Sequence, residues 1–155
     1  IVRLETVSSM WAHFGFAPGQ KKVKGEKLNF DDVGRTWCWR LGDVMIKLKH
    51  PGVLKRVYDI RKVYEMAKFN GHVVPGKKGT AVPDDSITQG QVHRRAMRYM
   101  IKTFLACLYL QWREAEGLTV RPPYAAEHPV AGPAGGDLVI HSQFYRPHDL
   151  CDIIE

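Results

Sequence analysis

Ser8 and Ser9, followed by His13, are the nearest approach in this sequence to a nucleophile with its base. Four or five residues apart on a helix, one hydroxyl would face the imidazole, as a base-activated serine requires. No third residue can be named to orient the imidazole, so a structural role for these serines competes with a catalytic one. The seven histidines show no HxxxH, HExxH or Cys/His ligand spacing, and no metal site is expected. Asp31-Asp32 and Asp84-Asp85 stand just ahead of helical patterns, where carboxylates cap free amide groups more readily than they collect magnesium. No G-x-x-x-x-G-K-[ST] loop or dinucleotide fingerprint is present, and Gly76-Lys77-Lys78-Gly79 is too short to replace one.

The chemistry that the residue types do offer is fixed positive charge for a polyanion. Lys21, Lys22, Lys24 and Lys27 crowd into a loop with Gly25, whose missing side chain lets the backbone turn or approach a ligand. Arg35 and Arg40 lie off the apolar stripe of the following helical pattern, within reach of a phosphate. A third group comes from the run His93–Tyr124. At about 100° per residue, Met97, Met100, Ile101, Phe104, Leu105, Leu108 and Trp112 fall in one sector, while Arg95, Arg98, Lys102 and Arg113 gather in another beside Tyr109. A helix apolar around most of its girth is buried, which makes the basic strip its ligand-facing or solvent-facing edge. Trp37 and Trp39 flank Cys38; Trp37 falls on the apolar stripe and is expected in the core, while Trp39 is a candidate for stacking on bases.

These groups need helices to hold them. Residues 5–16 read as a short helical or turn-like apolar segment closed by Pro18-Gly19. Asp31 or Asp32 caps a helix whose expected inner stripe is Val33, Trp37, Leu41, Val44 and Leu48, with Gly34 and Gly42 as weak points. After Pro51-Gly52 a second helix over about residues 53–69 repeats Val53, Val57, Ile60, Tyr64 and Ala67, and the two stripes are expected to meet antiparallel. Its outer face carries the pairs Asp59–Lys62 and Arg61–Glu65. Residues 70–85 form a Gly/Pro-rich loop with a brief extended piece at Val73-Val74. Ser86-Ile87-Thr88-Gln89 has the form of a capping box, starting the long helix near residue 87, and Gly117 with Pro122-Pro123 ends it.

The chain of 155 residues, 45% apolar and 25% charged, suits one folded domain with a substantial core. Its net charge of +7 is uneven: residues 1–116 hold 21 Lys/Arg against 11 Asp/Glu, and residues 117–155 hold 2 against 5. Such a field favours nucleic acid or an acidic partner. Cys38, Cys107 and Cys151 lack CxxC spacing and read as reduced, buried thiols of a cytosolic protein. The opening Ile-Val-Arg, with no initiator methionine or signal pattern, is expected of a piece of a longer polypeptide. The expected fold is mainly α: a compact helical domain over residues 1–124 with a long central helix and a basic loop, then a linker over 125–136 and an extended C-terminal tail to residue 155.

The order MWAHFGFAPG, KKVKGEKLNF, a helix with WCWRLG, then RYMIKTFL followed by WREAEGL and a Pro-Tyr pair resembles the C-terminal transposase domain of the insertion sequence family one-ten. These are DEDD transposases, related to the pilin-gene inverting recombinase and guided by a bridge RNA. The likeness covers about residues 7–124. It implies a DNA recombinase fragment, prokaryotic, cytoplasmic and nucleoid-associated, that binds DNA and guide RNA within a homo-oligomer of the full-length chain. It further implies that the Mg2+-binding carboxylates belong to an N-terminal domain outside this chain. In the family the C-terminal domain supplies a serine shortly after the stretch matching Gly15-Phe16-Ala17-Pro18, yet Gly19–Lys27 holds no serine or threonine. Ser8 and Ser9 are then the remaining catalytic candidates, and the fragment alone is expected to be inactive. Lys21, Lys22, Lys24, Lys27, Arg35, Arg40, Arg95, Arg98 and Lys102 are the expected phosphate contacts. The alternative reading is a non-catalytic basic RNA-binding helical module, for which charge and exposed aromatics suffice.

Overall fold

The long apolar stripe Val33, Trp37, Leu41, Val44 and Leu48 faces outward, and the glycine side of the same helix packs inward. This is the main departure of the computed structural model, which describes residues 4–20, 23–49, 52–76 and 81–120, from the sequence expectation. Helix α2, Asp32–Lys47, turns Cys38 and Gly42 inward, while the five stripe residues are between 39% and 68% exposed. The reason is steric. A Cβ built on Gly34 would stand 2.6 Å from Phe14 Cε1 and 2.5 Å from Asp31 Oδ2, and one on Gly42 would stand 2.9 Å from Met97 Sδ and 3.0 Å from Ile101 Cγ1. Gly34, Cys38 and Gly42, each four residues apart, therefore form a low ridge that admits close neighbours, which the bulky stripe could not. The glycines taken as weak points of the helix are its packing surface.

The other described elements are α1 (Val7–His13), α3 (Val53–Ala67), β1 (Val73–Val74), β2 (Ile87–Thr88) and α4 (Gln89–Ala115). Strands β1 and β2 pair in parallel, Val73 opposite Ile87 and Val74 opposite Thr88. The fold of the described residues is mainly α, with a long fourth helix, as the sequence implies. The expected linker and tail, 125–155, lie outside the described residues. Internal contacts divide the chain into one unit within Ile1–Cys38 and Lys102–Glu155 and a second within Trp39–Ile101.

In the first unit, α1 starts on Thr6, whose Oγ1 accepts the Ser9 amide at 3.0 Å. It ends at Gly15 (φ 72°): Phe16 N donates to Trp11 O at 2.7 Å and Gly15 N to Ala12 O at 3.1 Å, the paired bonds of a glycine-terminated helix. That stop comes before Pro18-Gly19. Val7, Met10, Trp11 and Phe16 are buried. From α4, Lys102 O accepts the Trp11 indole N–H at 3.0 Å, and the fully buried Tyr109 donates its hydroxyl to Glu5 O at 2.6 Å. Gly117 (φ 64°) ends α4 in the same manner, with Leu118 N on Arg113 O at 2.8 Å.

In the second unit, a buried charge cluster joins α3 to α4. Glu65 is only 3% exposed; its Oε1 accepts Arg61 Nε at 2.8 Å and its Oε2 accepts Arg95 Nη1 at 3.1 Å. The Arg61 guanidinium lies 4.6 Å from the Tyr64 ring centre and 4.7 Å from that of Tyr99. Arg61–Glu65 is thus a buried pair and not an outer one, because a two-arginine shell and aromatic faces replace the water that Glu65 gives up. Asp59 pairs with Lys55 one turn earlier, while Lys62 Nζ lies 5.5 Å from the centre of the Tyr58 ring. Tyr58, also buried, is hydrogen-bonded to His93 Nδ1 at 2.8 Å. Burial and the nearby Asp59 carboxylate push the Tyr58 phenol up from its ordinary value, against Lys55, and keep it neutral. Of the stripe expected on α3, Val57 is buried and Val53 and Tyr64 are half-buried, while Ile60 and Ala67 are exposed, because the helix turns Tyr58 and Glu65 inward beside Val57.

The capping box sits two residues later than Ser86–Gln89. Thr88 Oγ1 accepts Gln91 N at 3.1 Å and Gln91 Oε1 accepts Thr88 N at 2.9 Å, while Ser86 donates its hydroxyl to Pro83 O at 3.1 Å. The strand pairing of Ile87-Thr88 consumes the residues expected in the first turn, so α4 begins at Gln89.

Two substitutions test this architecture by urea unfolding. Gly42→Leu drives a side chain into Met97 and Ile101 and should lower stability by about 1–3 kcal/mol despite its better helix propensity. Glu65→Ala strands Arg61 in a buried site and should cost about 3–5 kcal/mol.

Candidate nucleic-acid interface

The basic loop of the first unit is an exposed arch with both feet tied to the end of α1. At its start, Gln20 accepts Ala17 N on Oε1 at 3.1 Å and donates from Nε2 to Ala12 O at 3.0 Å. At its finish, Asp31 N donates to His13 O at 2.8 Å, and Asp31 Oδ1 caps α2 by accepting Gly34 N at 3.0 Å. Leu28 and Phe30 are half-buried and hold the returning arm. Between the feet, Val23 to Lys27 are exposed. Glu26 N donates to Val23 O at 3.3 Å across a turn whose third residue, Gly25, has φ 86°, a position where a side chain would be strained. Lys24 and Lys27 flank this glycine and project into solvent, with Glu26 between them as the one acidic side chain of the turn. Lys21 and Lys22 lie outside the described residues.

The remaining expected contacts differ in how far they are already committed. Arg35 is half-buried, donates from Nη1 to Gly15 O at 3.0 Å and lies 4.9 Å from the centre of the Phe30 ring. A Cβ at Gly15 would stand 2.8 Å from both that Nη1 and Phe30 Cδ2, so this glycine makes the room that the arginine uses. Lys102 is half-buried with its Nζ 3.9 Å from the centre of the Trp11 ring. Arg113, the fourth member of the strip on α4, donates from Nε and Nη2 to Thr119 O at 2.9 and 2.6 Å. In the second unit Arg95 is half in solvent but is held by Glu65 and stands over Phe69 at 5.6 Å; Arg98 is half-buried and Arg40 exposed. The expected cationic edge of α4 is therefore largely a set of cations seated on aromatic faces and carbonyls, each such seat worth about 0.5–2 kcal/mol according to its burial. On the loop, Lys24 and Lys27 are exposed.

The serines are used locally. Ser9 Oγ lies 2.9 Å from Thr6 Oγ1, inside the cap of α1, and Ser8 is half-buried. His13 is exposed and stands edge-on to Phe14 at 4.9 Å; no hydrogen bond joins it to either serine among the described residues. Among the described residues no three His, Cys, Asp or Glu side chains converge as a cation site would require. Cys38 and Cys107 are free thiols, the first buried. Burial, with the Asp31 carboxylate, pushes the Cys38 thiol up from its ordinary value, so it is not poised as a thiolate. Cys151 lies outside the described residues.

Two structural features escaped the sequence reading. Glu65 looked like half of a solvated i,i+4 pair, and only its place on the same helix face as Tyr58, seven residues earlier, could have hinted otherwise. Trp37 and Trp39 exchange places: Trp37 is 62% exposed and Trp39 half-buried, a consequence of the glycine ridge turning inward. No family model, curated protein or solved structure matches this chain.

Proposed function

We propose that this chain is a nucleic-acid-binding helical domain of a DNA transposase or recombinase, similar to the C-terminal domain of the insertion sequence family one-ten. The observation that carries the reading is the tethered loop: Lys24 and Lys27 are exposed on either side of a positive-φ glycine, and both ends of the loop are hydrogen-bonded to the end of α1. A cationic turn with fixed feet loses little entropy on binding, which suits repeated phosphate contacts. The motif order described from the sequence supplies the family, and the basic balance of residues 1–116 supplies the field that draws a polyanion in. DNA is the principal ligand in this reading, with guide RNA as the second.

Within that role the cations divide. Lys24 and Lys27 lead the phosphate contacts, with Lys21, Lys22 and Arg40 as the further ones; Arg35, Lys102 and Arg95 are held by Gly15 and Phe30, by Trp11 and by Glu65. Strand cleavage belongs to the full-length parent, whose N-terminal domain would carry the Mg2+-binding carboxylates, because Ser9 is engaged in its helix cap. The parent would act as a homo-oligomer at the nucleoid of a prokaryotic cell. Among the described residues no helix is long and apolar enough to cross a membrane.

The loop assignment predicts a salt response. Duplex binding by the whole chain should weaken with log salt at a slope near −4 to −5 if about five phosphates are engaged, and Lys24→Ala with Lys27→Ala should make that slope shallower by about 2. Lys102→Ala should instead lower the melting temperature and leave the slope within about one of the wild type. A salt-independent affinity, or unchanged binding after both loop substitutions, would remove the proposal. Strand transfer by the parent, lost on deleting this domain while RNA binding persists, separates a recombinase from a simple RNA-binding module.

A further inference from the structure

Where the chain leaves α3, Asn70-Gly71 joins a side-chain amide to a neighbour with no side chain to shield its backbone nitrogen. Asn70 is the one non-glycine with positive φ among the described residues, at 51°, and Gly71 follows at 75°. Both are exposed. Asn70 N donates to Ala67 O and Gly71 N to Met66 O, each at 3.0 Å, the paired bonds that close a helix on a left-handed residue. Asparagine tolerates that conformation at some cost. The bonding runs on into β1: His72 N donates to Phe69 O and Val73 N to Gly71 O, both at 2.8 Å, and His72 O accepts Ile87 N at 3.0 Å. The chain's other asparagine, Asn29, is also exposed, but the residue after it is Phe30, whose side chain crowds the backbone nitrogen.

We propose that Asn70 is a site of self-modification, in which the chain's own backbone displaces the side-chain amide and water completes the reaction. The Gly71 amide gives its proton to hydroxide, and its nitrogen attacks Asn70 Cγ. An N–Cγ bond forms, the Cγ–Nδ2 bond breaks, and Nδ2 leaves as ammonia with a proton taken from water. Water then opens the cyclic imide: cleavage of the new N–Cγ bond gives aspartate, and cleavage of the original peptide bond gives isoaspartate, whose main chain runs through the side-chain carbons. No electrons are gained or lost. The native closure is a brake, because Gly71 N cannot attack while its proton is held on Met66 O. The reaction therefore passes through fraying of the last turn of α3, an opening that exposed helix ends undergo while the remainder stays folded. Both products weaken that turn. Aspartate places a negative charge at a helix C-terminus, where the dipole opposes it. Isoaspartate lengthens the main chain between the two bonds that tie Asn70 and Gly71 to α3. The turn from α3 to β1 is thus a slow, irreversible timer within the second unit, and it operates whether or not nucleic acid is bound.

The full chain, aged in mildly alkaline buffer and digested at intervals, tests this by mass spectrometry of the peptides that carry Asn70 and Asn29, with aspartate and isoaspartate separated by chromatography. The Asn70 peptide should gain the mass of an acid over an amide and resolve into both isomers, while Asn29 remains an amide. Conversion at Asn70 should be roughly ten- to a hundred-fold slower than in the guanidinium-denatured chain, the brake expected of two terminal hydrogen bonds. Converted wild type should melt a few degrees lower than fresh protein. Asn70→Gly keeps the left-handed closure and has no amide to lose, so its melting should not change with age. The proposal is overturned by an Asn70 that stays an amide in the native chain while the denatured chain converts, by equal native and denatured rates, by conversion at Asn29 as fast as at Asn70, or by converted protein that melts as the fresh protein does.

Discussion

The close approach permitted by Gly34, Cys38 and Gly42 is the constraint on which the rest of the described structure depends. Gly34 lets Phe14 and Asp31 crowd the first turn of α2, which sets where the basic loop returns to α1. Gly42 lets Met97 and Ile101 of α4 reach the backbone of α2 within the second unit. Once these contacts are made, helical geometry leaves no choice about the opposite side: Val33, Trp37, Leu41 and Val44 must face away. Burying a low ridge gives up the transfer free energy of five large side chains. It gains closer backbone packing.

A second constraint governs the charge. A net balance of +7 in 155 residues invites a reading of the whole surface as a polyanion site, yet much of that charge holds the protein together. Arg35 spans Gly15 O and Phe30, Lys102 sits on Trp11, Arg61 lies between Tyr64 and Tyr99, and Arg61 and Arg95 share the buried Glu65. Arginine and lysine can do this because their stems are apolar and their heads find π faces or carbonyls. The structural cations and the outward ones occupy different local settings, so the two roles separate by mutation even though the residue types are the same.

What could be read from the sequence follows from the range of each interaction. Short-range signals held: Asp31 caps α2, Gly117 ends α4, Val73-Val74 is extended, and four helices fall close to their expected bounds, because caps, glycines and periodicity act within a turn or two. The capping box slipped from Ser86 to Thr88 because strand pairing with Val73-Val74, a contact between segments distant in sequence, took Ile87 and Thr88 out of the helix. The burial of α2, and in part that of α3, was misread for the same reason. Periodicity identifies an apolar stripe but not whether a neighbour covers it, and a glycine ridge carries no hydrophobic signal at all. Lys24 and Lys27 were legible as exposed loop cations; the commitment of Arg35 to the Gly15 carbonyl, 20 residues away, and of Lys102 to the ring of Trp11, 91 residues away, was not.

The inward orientation of the glycine ridge is tested most directly by the alkylation of cysteines in the native chain. A Leu41→Cys variant would be treated with a maleimide and each thiol followed by peptide mass spectrometry. Cys38 should react only through unfolding, at a rate that falls with added stability, while the thiol at position 41 reacts as fast as in the denatured chain. Rapid modification of Cys38 together with protection at position 41 would mean that the apolar stripe is the buried face, and would contradict the account.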